Sequence, residues 1–216
     1  KEDFSLSDME ETPINFTVAI FGDMAYEGNS SSPVLQLVKE EKADMILLLG
    51  DFFAASSSEE IEQSSEVWDT AIDNYFGEDF PILGVIGNHE TDGNQWPKFR
   101  KKLESRLERI KDMNCIGYIG TRSICNYKGI LFVFSGVGTK FYWDNRNDNY
   151  GLYDFIPGFI ELPIANLLWS SYIKEELSNK DFFQWKICVY HKNNRLMQVA
   201  SKRNEVYFGP YEECRK

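Results

Sequence analysis

Three apolar runs, each closing on glycine and then a polar residue, constrain this chain more than any other feature. Residues 16–21 read FTVAIF and lead into Gly22-Asp23. Residues 45–49 read MILLL and lead into Gly50-Asp51, and residues 81–86 read PILGVI and lead into Gly87-Asn88-His89-Glu90. Helical patterns lie between them. Residues 33–42 start near Pro33 and put Val34, Leu35 and Val38 on one face. Residues 59–76 are acidic at the N-terminal end, as the helix dipole favours. Residues 97–112 form a basic segment with Phe99, Leu103, Leu107 and Ile110 at helical spacing. Apolar strands alternating with helices predict an α/β fold with a largely parallel sheet, covered on both faces.

The later sequence changes character. Residues 124–127 and 130–135 flank Lys128-Gly129 and predict a hairpin. Residues 140–159 are a long polar and aromatic stretch, long enough to suggest a functional loop or a solvated connection. A helix is expected over 162–177 and a strand over 185–190, ending at His191. Residues 210–216 read as the start of another helix. Residues 1–13 are acidic and without period, and predict a flexible arm ahead of one domain over 14–216.

Composition removes several classes of function. An apolar fraction of 43% and an aromatic fraction of 15% exclude a disordered chain. No apolar run approaches the ~20 residues of a membrane span. The balance 23 − 34 = −11 disfavours nucleic-acid backbones and anionic lipid as partners. The basic run 98–111 is interrupted by Glu104 and Glu108 and reads as the solvated face of an amphipathic helix. The cysteines Cys115, Cys125, Cys188 and Cys214 form no CxxC pair. Cys115 and Cys125 either close a short disulfide loop or stay as buried thiols, and Cys188 falls in an apolar strand. Asn15-Phe16-Thr17 and Asn29-Ser30-Ser31 are sequons, a triplet that also arises by chance.

Chemistry concentrates at the strand exits. In open α/β sheets the carboxyl ends of the strands form the ligand-binding edge. Gly-Asp at one turn means little, since aspartate is a common turn residue. The chain has only two histidines, His89 and His191, and both fall at exits beside the carboxylates. One histidine alone is more often structural; two of two on one edge point to a site.

This ordered set resembles the calcineurin-like metallophosphoesterase superfamily, and within it the purple acid phosphatase type. FGDMA (21–25) is similar to that type's GDMG, LLLGDFF (47–53) to GDxxY, and GVIGNHE (84–90) matches GNHE. NLLWSSYIKEEL (166–177) and WKICVYHK (185–192) resemble its following helix and strand. The resemblance implies a four-layer α/β/β/α sandwich with two metal ions at the sheet edge, of Fe, Zn, Mn or another divalent type. By motif position, Asp23 would bind the first ion, Asp51 would bridge both, and Asn88 and His191 would bind the second. His89 would protonate the leaving group or stabilise the transition state. The ions would hold a hydroxide for in-line attack on a phosphoester, and their charge would let an acidic protein accept an anionic substrate.

The chain departs from that pattern at three places. Ala25 stands where a DxH histidine occurs in other members. Ala54 stands where the purple acid phosphatase type has its tyrosine, so an iron–tyrosinate bond from that position is excluded. No GHxH follows His191, and the chain is expected to stop one strand before the site closes. The ligands at hand predict fewer than two tightly bound equivalents of Mn²⁺ or Zn²⁺. Two functional readings remain at this level: a metal-dependent phosphoester hydrolase, or a degenerate member that serves as a binding module. Substrate and oligomeric state are not encoded in these motifs.

Overall fold

The computed structural model describes residues 4, 15–24, 32–53, 57–90, 95–136, 172–178 and 180–191. The first half builds a parallel sheet. Strands β1 (Val18–Phe21), β2 (Met45–Leu48) and β3 (Ile82–Gly84) lie in the order β1-β2-β3. Helix α1 (Pro33–Glu40) connects the first pair and α2 (Ser58–Phe76) the second; α3 (Trp96–Leu107) follows β3. The helix starts have local causes. Ser32 Oγ accepts the Leu35 N–H, with Pro33 in the first turn. Ser57 and Glu60 form a reciprocal capping box, which relieves two of the unpaired N–H groups at the start of α2. Gly77, at φ +89°, ends that helix.

The second half forms a separate sheet in the order β4-β5-β6-β7. Its strands are β4 (Asn114–Tyr118), β5 (Arg122–Tyr127), β6 (Ile130–Ser135) and β7 (Trp185–Val189). Lys128 (φ +50°) and Gly129 (φ +74°) make the expected two-residue hairpin between β5 and β6. β7 joins β6 in parallel. β4 was not expected from sequence. It is a short edge strand, mostly exposed, with Gly117 in its middle, so it lacks the apolar run that marks the others. Cys115 pairs with Cys125 across β4 and β5 and the two form a disulfide. Cys188 is half-buried in β7 and also disulfide-bonded.

Alternation along β6 divides the core in two. Ile130, Phe132 and Phe134 face the first sheet and join Ile46, Leu48, Ile82 and the helices α1–α3. Leu131 and Val133 face away and pack with Tyr172, Ile173 and Phe183. Tyr172 and Ile173 belong to a helical segment, α4 (172–177). The layers run helix, sheet, sheet, helix. The single sheet suggested by strand–helix alternation is therefore two sheets face to face, and the four-layer expectation holds. Phe4 reaches the outer core, its ring 6.2 Å from that of Phe183. The rest of the 1–13 arm, the 140–159 stretch, the start of the 162–177 helix, the 210–216 segment, Ala25, Ala54 and the Asn29 sequon lie outside the described residues.

The basic segment differs from the solvated face expected of it. Arg106 is 0% exposed and binds Asp69 and Asp73 of α2. Lys102 binds Glu66 and Asp69, and Lys98 binds Glu62. The numbers rise together on both helices, so a basic stripe of α3 lies along an acidic stripe of α2. Lys101 and Lys111 do face solvent. α3 ends at Leu107 rather than near residue 112, and Ile110 is buried in the turns beyond it.

Candidate metal centre

The parallel pairing of β1 and β2 sets the first two acidic residues side by side. Phe21 is opposite Leu48, and the ladder continues past the strand ends. Asp23 N–H donates to the Gly50 carbonyl and Met24 N–H to the Asp51 carbonyl, each at 3.0 Å. Asp23 and Asp51 adopt φ +52° and +53°, the left-handed region that aspartate tolerates better than most residues. Such a conformation costs on the order of 1 kcal/mol and is concentrated at functional sites. At the β2 exit Gly50 takes a sharp turn, at φ +90°. At β1 the aspartate itself takes it. Gly50 has a second reason to lack a side chain: a Cβ there would lie 2.7 Å from both Gly87 Cα and His191 Nδ1.

His191 arrives from the other sheet, two residues past the end of β7. Its Nδ1 lies 2.7 Å from the Leu49 carbonyl oxygen. A carbonyl only accepts, so this contact assigns the proton to Nδ1 and leaves the Nε2 lone pair facing the exits. Nε2 is 3.1 Å from Asn88 Oδ1 and 3.3 Å from Asp51 Oδ2. Three electron-pair donors thus converge. A second proton on the ring, a turn of the Asn88 amide that presents its NH₂, or a cation among them would satisfy that arrangement. Asp23 completes the group: one ligand atom each from Asp23, Asp51 and His191 lies within 4.8 Å of the others. Carboxylate, amide and neutral imidazole are ligands that suit divalent Mn or Zn, so the residues present fit a cation.

Asp51 is 7% exposed. Its Oδ1 accepts the His89 N–H at 3.0 Å. Burial pushes its carboxyl up. The hydrogen bond and charge of His191, with the backbone N–H and charge of His89, outweigh burial and hold it below the usual carboxylate range. Phe52, the next residue, is fully buried and stacks on Trp68 at 5.3 Å, with Phe99 at 5.5 Å. The β2 exit is thereby bolted to an aromatic cluster under α2 and α3.

Sequence reasoning quoted Glu90 in a motif and gave it no role. It is 1% exposed and accepts three backbone N–H groups: Asp51 at 2.9 Å, Phe52 at 2.7 Å and Gly87 at 2.8 Å. Burial and the neighbouring Asp51 charge push its carboxyl up, the three N–H groups pull it back, and the balance is about 7. The signal that could have found it was an acidic residue directly after the histidine of a strand exit, with no solvent-facing pattern around it.

His89 stands apart from the other four. Its side chain is 59% exposed, with Nε2 3.9 Å from Asp51 Oδ2. A small pocket opens beside it, walled by Phe53, Ile61, Ser64, Gln95 and Phe99. All five residues named from sequence are therefore at one edge: Asp23, Asp51, Asn88 and His191 close together, and His89 at the rim.

Comparison with known proteins bears on this arrangement directly. The family profile described as calcineurin-like phosphoesterase matches residues 16–216. No curated protein matches the chain. The profile covers both sheets and every exit described above, and the chain belongs to the calcineurin-like phosphoesterase family, a family of metal-dependent phosphoester hydrolases.

Proposed function

We propose that the chain hydrolyses a phosphoester at a dinuclear metal site on this edge, in the manner of the purple acid phosphatase-like members it resembles. The observation that carries the reading is the convergence of Asp23, Asp51 and His191 within 4.8 Å, with Asn88 Oδ1 3.1 Å from the His191 ring. Asp23 would hold one ion and Asp51 would bridge two, its two oxygens being the only buried anionic pair among these side chains. Asn88 and His191 would hold the second ion without adding charge. When bound, the ions supply charge neutralisation for the phosphate and acidify the attacking water.

The chain's own residues do the rest. The hydrogen bond to Leu49 keeps the His191 ring oriented, so its Nε2 is presented rather than found by rotation. His89 has its backbone anchored to Asp51 and its imidazole in solvent, a placement suited to giving a proton to the departing alkoxide.

The test is turnover of p-nitrophenyl phosphate by the 216-residue chain with Mn²⁺ or Zn²⁺ added. Metal-dependent turnover is expected, and slow, because Asp23 and Asp51 alone would hold the first ion. Asp51→Ala should abolish it, and His89→Ala should lower kcat by about 10²–10⁴-fold, the usual contribution of general acid–base catalysis. Metal binding with no turnover of any phosphoester would defeat the hydrolase reading in favour of a binding module.

A further inference from the structure

We propose that Glu90 is a positioning residue, whose carboxylate sets the separation of the β2 and β3 exits so that Asp51 and Asn88 meet one cation, without itself touching that cation. The inference rests on the metal assignment above. The geometry is specific. Glu90 Oε2 accepts from Asp51 and Gly87, one N–H from each exit, and Oε1 accepts from Phe52. Both oxygens are thus committed to backbone donors, and a carboxylate accepting three N–H bonds is held more firmly than any neutral acceptor.

The two exits are as close as backbone allows. A Cβ on Gly87 would lie 2.1 Å from Asp51 Oδ1 and 2.8 Å from Glu90 Oε2. Without the bridging acceptor, the N–H groups of Asp51, Phe52 and Gly87 would point at one another in a buried space, at substantial cost. The turns would separate to reach water, carrying Asp51 away from Asn88.

Glutamine tests this with little change of shape. It offers one acceptor oxygen where Glu90 has two, so an NH₂ must face at least one backbone N–H. Mn²⁺ binding to the parent chain, Glu90→Gln and the core variant Ile72→Val is measured by titration calorimetry, with thermal unfolding of each in metal-free buffer. Glu90→Gln should bind Mn²⁺ at least tenfold more weakly. Ile72→Val, which loses stability far from the edge, should keep the parent's affinity. Equal affinity in parent and Glu90→Gln would overturn the proposal and leave the metal assignment standing. A parent that binds no Mn²⁺ would overturn both. Hydrogen exchange on the unmodified chain covers the case of a variant that fails to fold. The amides of Asp51, Phe52 and Gly87 should be protected, and exchange at the rate of an open turn would also overturn the proposal.

Discussion

The site residues differ in how far sequence could take them. Asp23, Asp51, Asn88, His89 and His191 were legible because each follows an apolar strand, and strand exits share an edge whichever helices intervene. Glu90 was not, because its task depends on which backbone N–H groups surround it, and two of the three belong to residues 39 and 38 positions earlier. Nor did sequence show that Asp23 and Asp51 themselves occupy the left-handed region. Gly87 makes the sharpest prediction at this scale. Its φ is ordinary, so an alanine is not opposed by backbone preference, yet the new methyl has no room beside the Asp51 carboxylate. Gly87→Ala should lower stability by about 1–3 kcal/mol, as overpacking does, and should reduce Mn²⁺ affinity along with it. Chemical unfolding and titration calorimetry measure the two. An unchanged affinity would mean that the exits yield without moving Asp51.

At the scale of elements, apolar runs and caps made most of the fold readable. β2 and β6 are buried at every position, and α2 begins at a capping box. What sequence lacked was partnership. The basic face of α3 looks solvated until α2 is placed along it, because helix periodicity shows a stripe but not its neighbour. The pairs between these helices are not equal in worth. Lys98 and Glu62 are well exposed and hydrated, and Lys98→Ala should change stability by less than about 1 kcal/mol. Arg106 has no exposed surface, and Arg106→Met leaves Asp69 and Asp73 without their shared cation. That change should cost about 3 kcal/mol, the low end for a broken buried pair, because both aspartates keep some access to water. Urea unfolding of the two variants separates the cases. Equal losses would mean that Arg106 contributes no more than a surface pair.

Across the whole molecule, the candidate ligands come from both sheets: Asp23, Asp51 and Asn88 from the first, His191 from the second. A cation held by Asp51, Asn88 and His191 ties the layers together, so its binding energy opposes their separation. At a Mn²⁺ concentration 100 times its dissociation constant, the stabilisation is about 2.7 kcal/mol. For a chain of this size that is a rise in Tm of roughly 5–10 °C. Hydrogen exchange should slow in β7 as well as in β1 and β2. Protection confined to the first sheet would remove His191 from the ligand set.

The parallel pairing of β6 with β7 carries a consequence for how this chain can change length. β7 is placed by its register, with Phe132 opposite Ile187, and not by the length of the connection from residue 136 to residue 184. The hydrogen-bonded ladder sets where the strand ends, so the seven positions from Trp185 to His191 are fixed in number. Losing one of them turns every later side chain to the opposite face of the sheet, and the histidine would then point into the outer core beside Phe183.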